Sequence, residues 1–539
     1  MTDHTTRGGF VRVLGRLDVL AIAFGAMIGF GWIVLTGGFL EDAGTLGAAL
    51  AFVLGGTVVA LVGLTYAELV SAMPAVGGEH NYALRALGSR PAFITSWTLV
   101  LGYVSVVAFE AVALPQTLLY LVPELPAGRL WSIAGYDVYA TWVAVGVVGA
   151  VVITALNYVG VRPAAVFQGI AVLFLLAVGV LLTIGSFTGG STANMQPLFS
   201  GGLSGLLVVL VATPFLFVGF DVIPQSAEEI NLPPRRIGTL LLVSVLLAVT
   251  WYVMIMLTVG SGLAPGQRAD AELPTADAMS ALWNSPAMGT VLVLGGIAGI
   301  VTSWNGFLIG ASRLLFAMAS SGMLPRWFAR VHPRFGSPSN AVLFVGGLSV
   351  AAPLFGEQML VWLVDAGSLS IIAAYLMVAL SFLVLRRREP EMPRPFRVPA
   401  GRTVGVLAIV LSLGTGVLFL PGMPAQLIWP WEWVIVGLWW LAGIVLVLRL
   451  PRVGPGADAE DRLIDAVRVG TIADQTRQLF VFLLRRAPDA RILVRTTSPT
   501  KGSYQCWVAE VSSPGWGPRR LPCPRCRRGR AVPRRPPSR

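Results

Sequence analysis

Lysine occurs once in this chain of 539 residues, histidine and cysteine three times each, and Asp, Glu, Lys and Arg together make up only 12% of it. Each scarcity excludes something. Soluble domains carry about 25% charged residues, so this chain does not expose an ordinary aqueous surface. His4, His80 and His332 stand far apart, in a tail and two loops. None has a partner at metal-ligand spacing, although His80 is free to titrate near neutral pH. All three cysteines (Cys506, Cys523 and Cys526) fall near the C-terminus. Cys523-Pro-Arg-Cys526 has zinc-ligand spacing, but a structural zinc takes four ligands and no histidine is near. There is no His or Cys cluster, no pair of acids beside a nucleophile and no P-loop. The sequence therefore speaks against an enzyme and against ATP as the energy source, and neither a metal nor a cofactor is expected.

What the chain has in abundance is apolar length. It is 55% hydrophobic with a mean hydropathy of +0.75, and many runs reach the roughly 20 residues that cross a bilayer as a helix. The reading is an all-α polytopic membrane protein with twelve spans: 17–40, 46–72, 91–121, 138–158, 165–187, 203–224, 238–262, 286–318, 340–356, 360–385, 403–422 and 430–450. The first span is longer than a signal-peptide core, with no small-residue cleavage site after it, and is expected to stay in the membrane.

The net charge of +12 belongs to the end of the chain. From Arg485 to Arg539 there are 13 Arg, Lys501, Asp489 and Glu510, while the preceding 484 residues balance 25 Arg against 25 acids. The body is neutral, and no nucleic-acid partner is expected. Residues 451–539 read as a cytoplasmic tail with a short amphipathic segment at 453–485. It is basic and expected to be disordered from about 496, touching anionic lipid.

Arginine placement in the body is one-sided. Arg7, Arg12 and Arg16, then Arg85 and Arg90, Arg162, Arg235 and Arg236, Arg313 to Arg334, and Arg386 to Arg402 share one face if twelve spans alternate; only Arg129 and Arg268 fall on the other. The positive-inside rule then puts both termini, including 1–16, in the cytoplasm. The expected location is the plasma membrane.

Span one contains Gly25-Ala-Met-Ile-Gly-Phe-Gly31. Glycine costs about 1 kcal/mol in a helix interior relative to alanine, and interrupted backbone survives in a bilayer only inside protein or along a cavity. Gly25 and Gly29 also form the small-xxx-small pair that lets two helices pack closely. Span six decides between these readings. It carries Pro214, Gly219 and Pro224, and it lies five spans later. Interrupted spans at matching positions of two halves point to an inverted-repeat transporter, with repeats at 17–187 and 203–385 and helices eleven and twelve (403–450) outside them. A broken helix is therefore expected at Gly25–Gly31.

At this point the chain resembles a known family. Gly25-Ala-Met-Ile-Gly-Phe-Gly-Trp32 is similar to the first-helix glycine motif of the amino acid–polyamine–organocation (APC) permeases. Pro74-Ala-Val-Gly-Gly-Glu-His-Asn-Tyr82 resembles their first cytoplasmic loop. Gly219-Phe-Asp221 with Ala227-Glu-Glu229 and Pro233-Pro-Arg-Arg-Ile237 resembles the sixth helix and its following loop. Ser312-Arg-Leu-Leu-Phe-Ala317 with Gly322-Met-Leu-Pro325 resembles the end of the eighth helix, and Arg394-Pro-Phe-Arg-Val-Pro399 the loop after the tenth. The resemblance implies a LeuT-type 5+5 fold and secondary transport by alternating access.

Half-helix N-termini present free N–H groups to a carboxylate, and half-helix C-termini present carbonyls to an ammonium or cation. Ile28, Gly29, Phe30 and Gly31 are thus expected on the carboxylate side, and Ala23, Phe24 and Met27 with Phe217, Val218 and Gly219 around the amine. Phe30 departs from relatives that carry a small serine there, and Trp32 from an aliphatic residue. Bulk at Phe30 either shrinks the pocket or faces away as packing. Phe215 or Phe220 is expected to gate the site, as an aromatic of helix six does in relatives.

Glu110 in span three, Asp221 in span six and Asp365 in span ten are intramembrane acids with no deep Arg or Lys to pair with. Such a carboxylate is protonated, faces water or meets a cationic ligand. Tyr103 lies on one helical face with Glu110, seven residues away, and Glu110 is the leading coupling residue. Asp221 matches a family position and either couples or holds the broken helix. Thr302 and Ser303, with Asn305, either offer oxygens to a cation or pack helices. Some relatives place a lysine in helix five where a sodium ion would lie; the matching position here is Leu175. The expected substrate is an amino acid or related amine, coupled to a proton or to sodium. Polyamine or ethanolamine transport, exchange, a transporter-like sensor and a channel stay as alternatives; the sparse polar residues argue against a continuous pore.

Overall fold

The computed structural model describes residues 12–271, 273–423 and 426–468, and beyond them the backbone of three strands. Contacts divide the chain into Met1–Ile464 and Asp465–Arg539. His4, Cys506, Cys523 and Cys526 lie outside the described residues.

In the first unit the helices follow the apolar runs. Span one is three pieces, α1 (Arg16–Met27), α2 (Gly31–Val34) and α3 (Thr36–Ala43). Then come α4 (Thr45–Ala72), α5 (Glu79–Leu87), α6 (Ser89–Leu118), α7 (Ala140–Val159) and α8 (Val161–Gly189). Span six is two pieces, α9 (Gly202–Phe217) and α10 (Val222–Gln225). It is followed by α11 (Pro234–Gly262), α12 (Pro265–Asp270), α13 (Pro274–Leu282) and α14 (Pro286–Ser320), then α15 (Ser339–Ala351), α16 (Met359–Arg388), α17 (Gly401–Val417) and α18 (Trp431–Arg449). Among the described residues nine helices are long and apolar enough to cross a membrane, with α9 and α10 taken as one. α15 and α17 are shorter apolar helices.

Burial sorts the bundle. The apolar window of α6 is 94% buried and that of α18 only 11%, so α6 is the central post and α18 turns its leucines and valines outward. Lipid supplies no hydrophobic drive between helices, so close packing at small residues must hold them. Gly102 of α6 approaches Ile371 of α16, Gly295 of α14 approaches Val178 of α8, and Gly56 of α4 approaches Val249 of α11, each with too little space for a methyl group.

Proline and glycine chemistry builds the connections. Pro265, Pro274 and Pro286 each start a helix, the position where a missing N–H costs nothing. The loop after α11 is therefore a pair of short helices. Between α6 and α7 the strands β1 (Arg129–Ile133) and β2 (Tyr136–Tyr139) form an antiparallel hairpin. Its two turn residues, Ala134 and Gly135, both have positive φ, which suits a two-residue turn. The one-sided arginines find buried acids. Glu68 meets Arg386 at 2.5 Å and Arg394 at 3.0 Å and accepts the Val398 N–H at 2.8 Å. Glu229 meets Arg313 at 3.2 Å with both side chains buried.

In the second unit β3 (Arg491–Thr496), β4 (Trp507–Ser513) and β5 (Trp516–Pro522) form an antiparallel sheet in the order β3-β4-β5. Most of the tail expected to be unordered from about 496 lies outside the described residues. Short stretches rich in Trp and Val, such as Trp507-Val-Ala-Glu-Val511, favour extended pairing amid an Arg- and Pro-rich composition.

Candidate functional site

The site is built on two interruptions. In span one the last regular bond runs from the Ile28 N–H to the Phe24 carbonyl at 3.1 Å, and regular bonding resumes from the Ile33 N–H to the Phe30 carbonyl at 3.1 Å. Ile28 leaves helical geometry at φ −111°, ψ 64°. The freed carbonyls are partly taken: Thr302 Oγ1 donates to Gly25 O at 3.1 Å and the Tyr252 hydroxyl to Met27 O at 3.1 Å. In span six the Val218 N–H closes α9 on Pro214 O at 3.1 Å. Gly219 takes φ +131°, and Asp221 Oδ1 accepts the Gly219 N–H at 2.9 Å.

The glycines of span one act through space. A methyl group at Gly29 would collide with the Glu110 carboxylate and come within 2.8 Å of Ser303 Oγ, and one at Gly25 would meet Gln168 and Val172. The two readings of Gly25–Gly31 are therefore both realised: the helix breaks, and its glycines are where α6, α8 and α14 press against the break.

Beside the α1 break lies a cavity of about 20 Å³, room for one water. Met27, Gly29, Phe30, Gly31, Phe215, Glu110 and Ser303 line it, all expected from sequence. Ala26, Val106, Phe109, Leu216, Tyr252 and Phe307 line it as well. Val106 and Phe307 stand one helical turn from Glu110 and Ser303, a signal that was available; Tyr252 has none in the sequence. Phe30 turns inward, its ring 5.2 Å from Phe109, which in turn lies 5.6 Å from Phe215. Trp32 is buried and packs on Trp251 at 5.4 Å. Phe30 thus lines the small cavity, while Trp32 packs on Trp251 without lining it.

Glu110 is buried and faces the Phe30 backbone N–H and the Ser303 hydroxyl. Its Oε2 has no hydrogen-bond partner among the described residues. Its carboxylate thus lies where a ligand carboxylate would reach the start of the second half-helix. Thr302 ties α14 to α1, as above. Asn305 belongs to a buried amide chain: Asn157 Nδ2 donates to Asn305 Oδ1 at 2.8 Å, and Asn305 Nδ2 to Gln168 Oε1 at 2.8 Å. Gln168 Nε2 donates to Ala21 O at 3.2 Å and Thr302 O at 3.0 Å. Gln168, whose place in this chain the local sequence pattern does not mark, shares its helix with the buried Leu175.

Other expected site residues lie elsewhere. Ala23, Phe24 and Ile28 are buried around the break without lining the cavity. Phe24 meets Trp251 edge-on at 6.0 Å. Phe217 packs on Tyr252 at 5.5 Å, while Val218 and Gly219 belong to the second interruption. Tyr103 is separated from Glu110 by two helical turns and instead faces Asp221. Phe220 sits between Tyr66 at 5.3 Å and Tyr375 at 5.5 Å. Asp365 pairs with Glu432 of α18, a partner not seen in the sequence. His80, outside the spans, is fully buried, and burial pushes its ring down to about 4. It does not titrate near neutral pH as expected, because its loop is packed into the bundle.

A bundle of apolar helices with a small cavity at the break of its first span is the arrangement of an integral membrane protein. Residues 14–447 match the profile of the amino acid permease family, and the chain belongs to that family, within the APC superfamily. It is 28% identical over 450 residues to the methylthioribose transporter of Bacillus subtilis (strain 168), covering 82% of this chain and 94% of that one. It is also 28% identical to the branched-chain amino acid permease BcaP of the same organism, covering 75% and 87%. To cationic amino acid transporter 9, chloroplastic, of Arabidopsis thaliana it is 29% identical, covering 61% and 59%.

Proposed function

We propose that this protein is a secondary transporter that carries an amino acid with an apolar side chain across the plasma membrane, coupled to a proton. In this reading twelve spans form two inverted five-helix repeats, 17–187 and 203–385, followed by helices 403–450, and the arginine-rich face with both termini is cytoplasmic. Alternating access turns around the breaks of α1 and of α9 and α10. The observation that carries the reading is Glu110 facing the Phe30 N–H beside the small cavity at the break. A substrate carboxylate needs that N–H group. On binding it displaces the Glu110 carboxylate, which then takes a proton rather than stand unpaired in a low-dielectric site. Substrate and proton therefore load together. Aromatic and aliphatic walls favour an apolar side chain over a charged one, and the branched-chain permease among the relatives supports this choice. Thr302 bonds the Gly25 carbonyl across to α14, which favours a helix-packing role for it and a proton over sodium as the coupling ion.

Uptake of radiolabelled leucine into proteoliposomes tests this. Saturable accumulation should require an inward proton gradient and be indifferent to sodium. Glu110→Gln should abolish gradient-driven accumulation while leaving leucine–leucine exchange. Accumulation in this variant equal to wild type would remove Glu110 from coupling, and gradient-independent uptake by the wild type would make the protein an exchanger.

A further inference from the structure

A second set of buried polar groups lies away from the cavity, where α5 meets the second interruption. Glu79, on the short helix α5, and Asp221, between α9 and α10, are both fully buried and close enough for each charge to act on the other. Glu79 Oε2 accepts a hydrogen bond from Gln225 Nε2 of α10, and Asp221 Oδ1 accepts the Gly219 N–H. The groups facing the pair from every packed element are uncharged donors. Tyr66 of α4 faces Glu79, Tyr103 of α6 faces Asp221, and Tyr375 of α16 and Tyr82 of α5 lie within electrostatic reach. α14 presents Gly310 to Tyr103 and Val222, while its Arg313 is taken by Glu229. His80, next in the chain, turns to Ser96.

Two carboxyls without a cation cannot both stay ionised in a dry interior, since an unpaired buried charge is very costly. The second observation extends beyond the acids to three neighbouring side chains. The Tyr375 and Tyr82 hydroxyls, Gln225 Oε1, Glu79 Oε1 and Asp221 Oδ2 are all buried without a hydrogen-bond partner among the described residues. Buried polar atoms are normally satisfied by protein or by ordered water, so this many in one place mark a site with contents. The described residues hold no group of three or more His, Cys, Asp or Glu fit for a metal ion, and two carboxyls beside hydroxyls and an amide oxygen suit a proton with ordered water.

We propose that Glu79 and Asp221 form a proton-binding site on the arginine-rich face, the pair holding one proton and ordered water while that face is closed. Burial and the Asp221 charge hold the Glu79 carboxyl well above the usual carboxylate range. The site straddles a seam that must part for that face to open: a methyl group at Gly78 would press on Pro224 at 2.6 Å, and Phe220 fills the space between Tyr66 and Tyr375. When α10 leaves α5, water reaches both carboxyls and the proton departs. The closed face thus binds one proton more than the open one, and by linkage acid on that side favours closure. This last consequence rests on the transporter reading; the proton site itself does not.

The test is an infrared pH titration of the full chain in lipid nanodiscs, made in a background of Glu110→Gln with Glu432→Gln and Asp365→Asn so that the other buried acids are silent. The protein should keep a protonated-carboxyl band above the pH at which exposed carboxyls ionise. Adding Glu79→Gln should remove one carboxyl equivalent from it. Tyr66→Phe removes a donor to the ionised Glu79 carboxylate, so it should move the midpoint upward; it serves as the second reading if Glu79→Gln fails to fold. Superimposable titrations of parent and variants would overturn the proposal, as would discharge of the band by sodium at constant pH, which would make the ligand a cation. In proteoliposomes of the chain with Glu110 intact and no pH gradient, leucine–leucine exchange should slow as both sides are acidified, and Glu79→Gln should weaken that dependence. Absence of saturable flux with the band intact would sink the transporter reading and leave the proton site standing.

Discussion

At the scale of single residues, two glycines at equivalent interruptions are required for different reasons. Gly219 needs its backbone freedom, because φ +131° is a region that side chains make expensive. Gly29 is not among the positive-φ glycines; what it lacks is room, since Glu110 and Ser303 occupy the space of its missing side chain. Gly29→Ala should therefore push Glu110 off the Phe30 N–H while the protein still folds. Leucine uptake should fall by about tenfold or more, the cost of losing roughly 1.4 kcal/mol of positioning, with the melting temperature in detergent little changed. Uptake at the wild-type rate would mean that Glu110 does not depend on this contact. Sequence spacing alone left packing and breakage open at Gly29, because both demand a small residue. Phe30 was undecided for a similar reason: its orientation depends on Phe109 and Phe215, which come from other helices and leave no trace in the local pattern.

At the scale of elements, apolar runs were legible to within a few residues because each must cover a bilayer-sized length. The exceptions are informative. α5 is short and polar enough to read as loop, and only its packing into the bundle makes His80 and Glu79 buried groups. Arg313 was likewise legible as a charge at the end of α14, but its partner Glu229 comes from the 3₁₀ turn after α10. That turn is tied in addition to the N-terminal segment, where the Leu14 N–H bonds Glu229 O at 3.0 Å and the Asn231 N–H bonds Leu14 O at 2.9 Å. Arg313→Ala leaves a buried carboxylate unpaired and should cost about 3–5 kcal/mol. The double variant Arg313→Leu with Glu229→Leu should recover most of that loss. Thermal unfolding in detergent compares the two, and a double variant no more stable than Arg313→Ala would show that the pair is not what links α14 to this turn.

At the scale of the whole molecule, the ion pairs are distributed unevenly between the two faces. The buried pairs among the described residues, Glu68 with Arg386 and Arg394 and Glu229 with Arg313, lie on the arginine-rich side, and Glu389 with Arg85 at 2.6 Å adds a half-buried one. On the opposite side Arg129 and Asp137 pair in an exposed hairpin, where such contacts are worth little. A cavity of about 20 Å³ is too small for an amino acid, so the face that opens must break contacts to admit one, and the arginine-rich face has the more expensive contacts to break. Glu68 is the hub, joining α4 to α16 and to the segment before α17 through two guanidiniums and the Val398 N–H. Removing its charge should favour opening on that side without touching the cavity. With the three tail cysteines replaced by serine and a single cysteine at Ala26, a wall residue, Glu68→Gln should raise the rate of maleimide labelling from the arginine-rich side by about tenfold, for a shift of about 1.4 kcal/mol. Labelling from the opposite side should fall, because the two openings draw on one population. Equal acceleration from both sides would mean that the substitution loosens the whole bundle, and the ion pairs would then be stabilising contacts with no part in access.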